Sequence, residues 1–123
     1  MSGRRQNLYW LVVDGFMVTT GITELAATTE AFVRGRVKFR VGRIVYLAFS
    51  RDQTLMGFAF PKEEREWLVG TEPEKFLMPR PSDLRYNWVV VRLAAIDEDE
   101  MRDLVIEAWS MVVPRRLSGP YRA

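Results

Sequence analysis

Cysteine and histidine are both missing from this chain. Without cysteine there is no disulfide, no thiolate nucleophile and no cysteine-ligated metal. Without histidine, the commonest general base and the commonest transition-metal ligand are gone. Catalysis would fall to Asp, Glu, Lys, Tyr or Ser, and a metal would need an all-oxygen shell. No glycine-rich phosphate loop, nucleophile elbow or triad pattern is present either. These absences point to a binding protein rather than an enzyme, with no catalytic residue, cofactor or metal. The lack of thiols fits a reducing cytoplasm. Near the N-terminus, the apolar stretch Leu8 to Val13 follows Arg4 and Arg5 and is broken by Asp14-Gly15. That is far short of the roughly 20 residues needed to span a bilayer, and no small-residue cleavage site follows. A buried or dimer-packed segment is expected there, without membrane association.

What is present suits one domain over residues 1–123. The chain is 48% hydrophobic and 28% charged, an ordinary globular composition with enough apolar mass for a core. Its net charge is only +2, but the charge is unevenly placed. Arg34, Arg36, Lys38, Arg40 and Arg43 put five basic and no acidic residues into ten positions. The remainder then holds 13 basic against 16 acidic residues, a net of −3. Local charge of this kind creates a binding field that global charge conceals.

The chain reads as an α+β domain: an antiparallel sheet of about five strands packed by helices, in the order α-β-β-β-α-β-β-α. Residues 1–16 carry little pattern. Met17 to Ala27 is assigned to a first helix, against the weak helix preference of Thr19, Thr20, Gly21 and Thr23. Val37, Phe39 and Val41 alternate with Arg36, Lys38 and Arg40, the period of a strand with one apolar and one basic face. On that parity Arg34 joins the basic face. Gly42-Arg43 suits a two-residue turn with glycine first, and the continuous apolar run Ile44 to Phe49 reads as a central strand covered on both faces. Leu55 to Phe60 is a third strand, with Met56, Phe58 and Phe60 on one face and the small Gly57 and Ala59 on the other. Pro61 opens a helix to about Val69. Phe76 to Met78 makes a short strand before Pro79 and Pro81. In the strand Asn87 to Ala95, Val89, Val91 and Leu93 oppose Trp88, Val90 and Arg92. Asp97 and Glu100 form a capping pair for a helix to about Val112. After Pro114 a basic tail, residues 114–123, is expected to be mobile. Phe39, Phe49, Met56, Phe58, Phe60, Trp67 and Trp109 are the expected large core residues.

Several of these segments together resemble the MmcQ/YjbR family. They are Val37-Lys38-Phe39-Arg40-Val41 with Gly42, the strand Ile44 to Phe49, and Phe60-Pro61-Lys62-Glu63-Glu64. Glu72-Pro73-Glu74-Lys75-Phe76, Asn87-Trp88-Val89-Val90-Val91-Arg92-Leu93 and Ala108 to Pro114 complete the series. The resemblance runs from about Thr23 to Leu117 and rests on the order of the pieces, since none is diagnostic alone. Family members usually end the first helix with Leu-Pro, whereas here Leu25-Ala26-Ala27-Thr28-Thr29-Glu30 stands in that place without proline. The resemblance implies a frataxin/CyaY-like α+β sandwich and a "double wing" DNA-binding role. Function does not follow from fold, so the residues must carry the argument.

The first expectation is therefore nucleic acid, DNA in the first instance, met mainly through phosphates and with low sequence specificity. The candidate contacts are Arg34, Arg36, Lys38, Arg40 and Arg43 on the basic strand, Arg80 and Arg85 on the two-proline loop, and Trp88 and Arg92 on the later strand. Tyr46, Tyr86 and Trp88 are candidate stacking surfaces. The blander account is a solvated strand face whose charges discourage edge pairing. A protein-interaction module, with a homodimer as one form, is the alternative. A small-ligand site or weak enzyme around Trp88, Arg92 and Lys38 is the third. The acidic run Asp97-Glu98-Asp99-Glu100 reads as helix capping before it reads as a metal site.

Overall fold

A computed structural model describes residues 9–13, 16–20 and 25–119, the first two ranges by their main chain. Residues 1–8, 14–15, 21–24 and 120–123 lie outside the described residues. A hairpin comes first, β1 (Tyr9–Val13) pairing antiparallel with β2 (Phe16–Thr20) as a separate two-stranded sheet. The main sheet holds β3 (Thr28–Val33), β4 (Arg36–Val41), β5 (Ile44–Phe49), β6 (Leu55–Ala59), β7 (Phe76–Leu77) and β8 (Trp88–Arg92). Its order is β3-β4-β5-β6-β8-β7, antiparallel throughout. Helix α1 (Arg65–Thr71) joins β6 to β7, and α2 (Glu98–Ser110) and α3 (Arg115–Ser118) close the chain. No helix among the described residues is long and apolar enough to cross a membrane.

The α+β class with an antiparallel sheet is as expected, but the sheet has six strands and gains the extra one at β3. Where the helix was expected over Met17 to Ala27, the described residues show β2 as far as Thr20 and a turn at Ala26-Ala27 that leads into β3; the part between, around Gly21 and Thr23, lies outside the described residues. The physical reason lies in Val18, Thr19, Thr20, Thr28, Thr29 and Val33, β-branched residues that prefer a pleated surface to a helix. The β3–β4 turn is also new. Arg34 and Gly35 both take positive φ, +55° and +79°, as a two-residue hairpin of the twist-matched kind requires. Arg34 therefore sits on the turn and off the basic strand. Gly42-Arg43 turns the chain as expected, with Gly42 at φ +61° and Val41 paired to Ile44.

The core lies between one sheet face and α2. Phe39, Leu47, Phe49, Met56, Phe58, Val89 and Val91 meet Met101, Val105, Ala108 and Trp109, all buried. The strand phases expected from the sequence hold for Phe39, Met56, Phe58, Val89 and Val91; β5 lies inside the sheet as expected, but only one of its faces is covered, Ile44 being 54% exposed. The β4–β5 ladder contains a bulge: Phe39 faces Leu47 and Arg40 faces Val45, so Tyr46 is the extra residue. Tyr46 is thereby fully buried, its hydroxyl 2.7 Å from Thr28 Oγ1, and burial pushes its pKa up to about 12 against the lowering effect of that bond. It is not available for stacking.

Two helix expectations need correction. The helix after Pro61 begins only at Arg65, because turns bonded from Glu64 N to Pro61 O and from Arg65 N to Lys62 O precede it. With that start, Arg65, Leu68 and Val69 fall on the inward side at helical spacing. Trp67, two residues past Arg65, is turned outward and is 70% exposed rather than in the core. The described part of the tail after Pro114 forms α3, held by the buried Ser118 and the partly buried Leu117, while residues 120–123 lie outside the described residues. Asp97 caps α2 as read, its Oδ1 accepting from Glu100 N at 2.8 Å.

Candidate nucleic-acid interface

Alternation along β4 turns Phe39 into the core and Arg36 and Lys38 to the opposite sheet face. Across that face Lys38 is paired with Ala48, Ala48 with Gly57, and Gly57 with Val90. In the next row Ala59 is paired with Trp88. The face is thus floored by small side chains, with one aromatic lying among them. The indole of Trp88 occupies the space a Gly57 side chain would need, since a Cβ there would lie 2.6 Å from Nε1 and Cζ2. The absence of a side chain at Gly57 leaves room for that ring.

The loop between β7 and β8 forms the far wall, and α1 holds it by the main chain. Arg65 is only 7% exposed, and its guanidinium donates to the carbonyls of Leu84, Tyr86 and Trp88. Lys62 Nζ donates to Arg85 O at 3.1 Å. Asn87 answers from the loop, its Oδ1 accepting from Lys62 N at 3.1 Å and its carbonyl accepting from Phe60 N at 3.1 Å. A planar five-donor fork suits this task, since it reaches several carbonyls in one plane. The loop is therefore fixed before any ligand arrives.

Strand and loop enclose a groove of about 660 Å³. Arg36, Lys38, Arg43 and Arg80 line it, with Trp88, Tyr86, Asn87 and Asp83 from the loop side. Val45, Ala48, Ala59, Ile44, Met111 and Val112 supply its apolar surface. Among the described residues of this lining the single carboxylate, Asp83, is paired with Arg80 at 3.4 Å, which leaves their net charge positive. Tyr86 is 51% exposed, and Arg85 steadies it: the guanidinium carbon lies 4.9 Å from the ring centroid and Nη2 donates to the hydroxyl at 2.8 Å.

Of the residues expected to make the site, Arg36, Lys38, Arg43, Arg80 and Trp88 come together here. The others are elsewhere. Arg34 is on the hairpin turn, its carbonyl taken by Arg51 Nε at 2.8 Å. Arg40 is exposed on the bulged stretch, outside the groove lining. Arg85 is outside the groove lining and holds Tyr86, its guanidinium over the ring. Arg92 donates to Pro73 O at 3.0 Å and ties down the turn before β7. Sequence reading overlooked Arg65, Lys62 and Asn87. A signal was present for Arg65, because a cation sharing a helix face with Leu68 and Val69 is carried inward and needs partners; Lys62 and Asn87 carried none.

Two residues of the acidic run at the start of α2 have structural partners. Asp97 caps the helix, and both Glu100 oxygens accept from Lys75 Nζ at 3.0 and 3.1 Å. The Glu100 bond, more than that of Glu72, raises the Lys75 pKa. Among the described residues no three carboxylates are grouped to hold a metal.

No curated protein and no solved structure matches the chain. A family model described as YjbR matches residues 23–111, from just before β3 to just past α2, and includes β4, the Lys62–Arg65 segment and the Asn87-Trp88 strand that build the groove. The chain belongs to the YjbR family.

Proposed function

We propose that this protein is a nucleic-acid-binding module, not an enzyme, that meets phosphates through the basic groove on the open sheet face. One observation carries the reading: Arg36, Lys38, Arg43 and Arg80, from β4, the β4–β5 turn and the two-proline loop, converge around Trp88 and Tyr86 in one net-positive groove. A solvated strand face would not require a second positive wall, nor a loop clamped rigidly opposite it. Contacts of this kind read the backbone and give low sequence specificity. The thiol-free composition suits work in the cytoplasm.

Fluorescence anisotropy with labelled oligonucleotides over a salt series tests this. Four phosphate contacts give log K against log salt a slope of about −3.6 on a duplex and about −2.8 on a single strand. Arg36→Glu with Lys38→Glu should flatten it by about two units and weaken all sequences alike. Binding unchanged in the double variant, or none at low salt, overturns the reading.

A second reading has its own observation. β3 is an edge strand, and Phe32 and Val33 at its end are both exposed. Such an edge accepts another strand, most simply from a second copy of the chain. A mass that stays monomeric across a concentration series disposes of it.

A further inference from the structure

We infer that the groove takes a single strand rather than a duplex, with unpaired bases against Tyr86 and Trp88 and phosphates on Arg36, Lys38 and Arg80. This rests on the nucleic-acid reading above and specifies the polymer. In a duplex the faces of the bases are covered by their neighbours, and only the edges reach the grooves. Aromatic rings set inside a concavity have nothing to stack on there, and a convex double helix would touch only the rim. A single strand can turn its bases into the concavity, where stacking on aromatics adds affinity without regard to sequence.

The dimensions agree. The volume of about 660 Å³ is within the range that encloses a drug-sized ligand, about one or two nucleotides. Arg36 and Lys38 are two residues apart on one strand face, hence about 6–7 Å, comparable to the step between phosphates of an extended single strand. The stacking surfaces are held in advance. Tyr86 is half exposed yet gripped by Arg85, Trp88 rests against Gly57, and Arg65 fixes the main chain of both aromatic residues. Little ordering is then left to be done on binding.

The test compares three labelled probes of equal length at one salt concentration: a mixed-sequence single strand, its duplex, and the same single strand with abasic sites. Wild type and Tyr86→Ala are measured side by side. The single strand should bind about ten-fold or more tightly than the duplex and about five-fold or more tightly than the abasic strand. Tyr86→Ala should lose a similar factor toward the base-bearing strand and leave the abasic strand unchanged. A duplex bound as tightly as the single strand overturns the inference, as does an abasic strand bound as tightly as the intact one; both leave the nucleic-acid reading standing. Failure of all three probes to bind at low salt removes that reading itself. The abasic comparison on wild type decides the matter even if the variant folds poorly.

Discussion

Gly57 and Trp88 stand on neighbouring strands, and the indole fills the place of the missing side chain so closely that a Cβ on Gly57 would lie 2.6 Å from two of its ring atoms. The contact joins the fold to the site, because the same ring lines the basic groove. Gly57→Ala should therefore displace the indole. We expect a loss of about 1–3 kcal/mol, the usual cost of overpacking, together with weakened oligonucleotide binding. Urea denaturation and anisotropy measure the two effects, and an alanine tolerated within about 0.5 kcal/mol would mean that the ring is not held there.

Arg65 is buried with three main-chain carbonyls as its partners. Arg65→Met should cost about 3–5 kcal/mol, since each carbonyl loses a charge-assisted bond. The effect should be local as well as global, with faster amide hydrogen exchange over residues 80–88. Arg65→Lys keeps the charge but not the fork, and should recover only part of the loss. A loss below about 1 kcal/mol for the methionine variant would show that the loop stands without the clamp.

Tyr46 titrates against the fold. Burial raises its pKa from 10.0 to about 12, so the folded state favours the neutral phenol. A raised folded-state pKa contributes stability that is complete below pH 10 and is lost as the pH rises toward 12. The loss should reach about 2–3 kcal/mol. Tyr46→Phe cannot ionise, but it gives up the bond to Thr28, worth about 1 kcal/mol. The variant should melt below wild type near pH 8 and approach or overtake it near pH 11. Parallel melting curves across that range would place the phenol in water.

Trp109 and Val91 are both fully buried, and Trp109 Nε1 also donates to Ala26 O at 2.9 Å. Trp109→Ala and Val91→Ala should each destabilise by about 2–5 kcal/mol. Shifts within about 0.5 kcal/mol in chemical denaturation would contradict the packing of α2 on the sheet.

Much of the frame was legible from local pattern. Alternation gave the faces of β4 and β8, an unbroken apolar run marked β5, and Asp97 marked the start of α2. These features are set within a few residues, where periodicity and capping act. The misreadings arose where two weak local preferences competed. Residues 17–27 hold both apolar periodicity and β-branched side chains, and the strand form prevails in β2 and again from Thr28 onward. Trp67 was misplaced because the helix begins four residues after Pro61, which turns its face.

The sequence by itself determined an α+β domain without thiol or imidazole chemistry and with one strongly basic strand. It could not say which of those cations share a site, because that depends on partners far away along the chain. Arg34 leaves the strand at a turn, and Arg40 follows a bulge made by Tyr46. Arg36 and Lys38 meet Arg80 and Tyr86 only because β8 inserts between β6 and β7 and carries the two-proline loop back over the sheet. Arg65 then locks that loop from 19 to 23 residues away. Charge is a property of the residue, but a binding groove is a relation between segments, and only their packing brings them face to face.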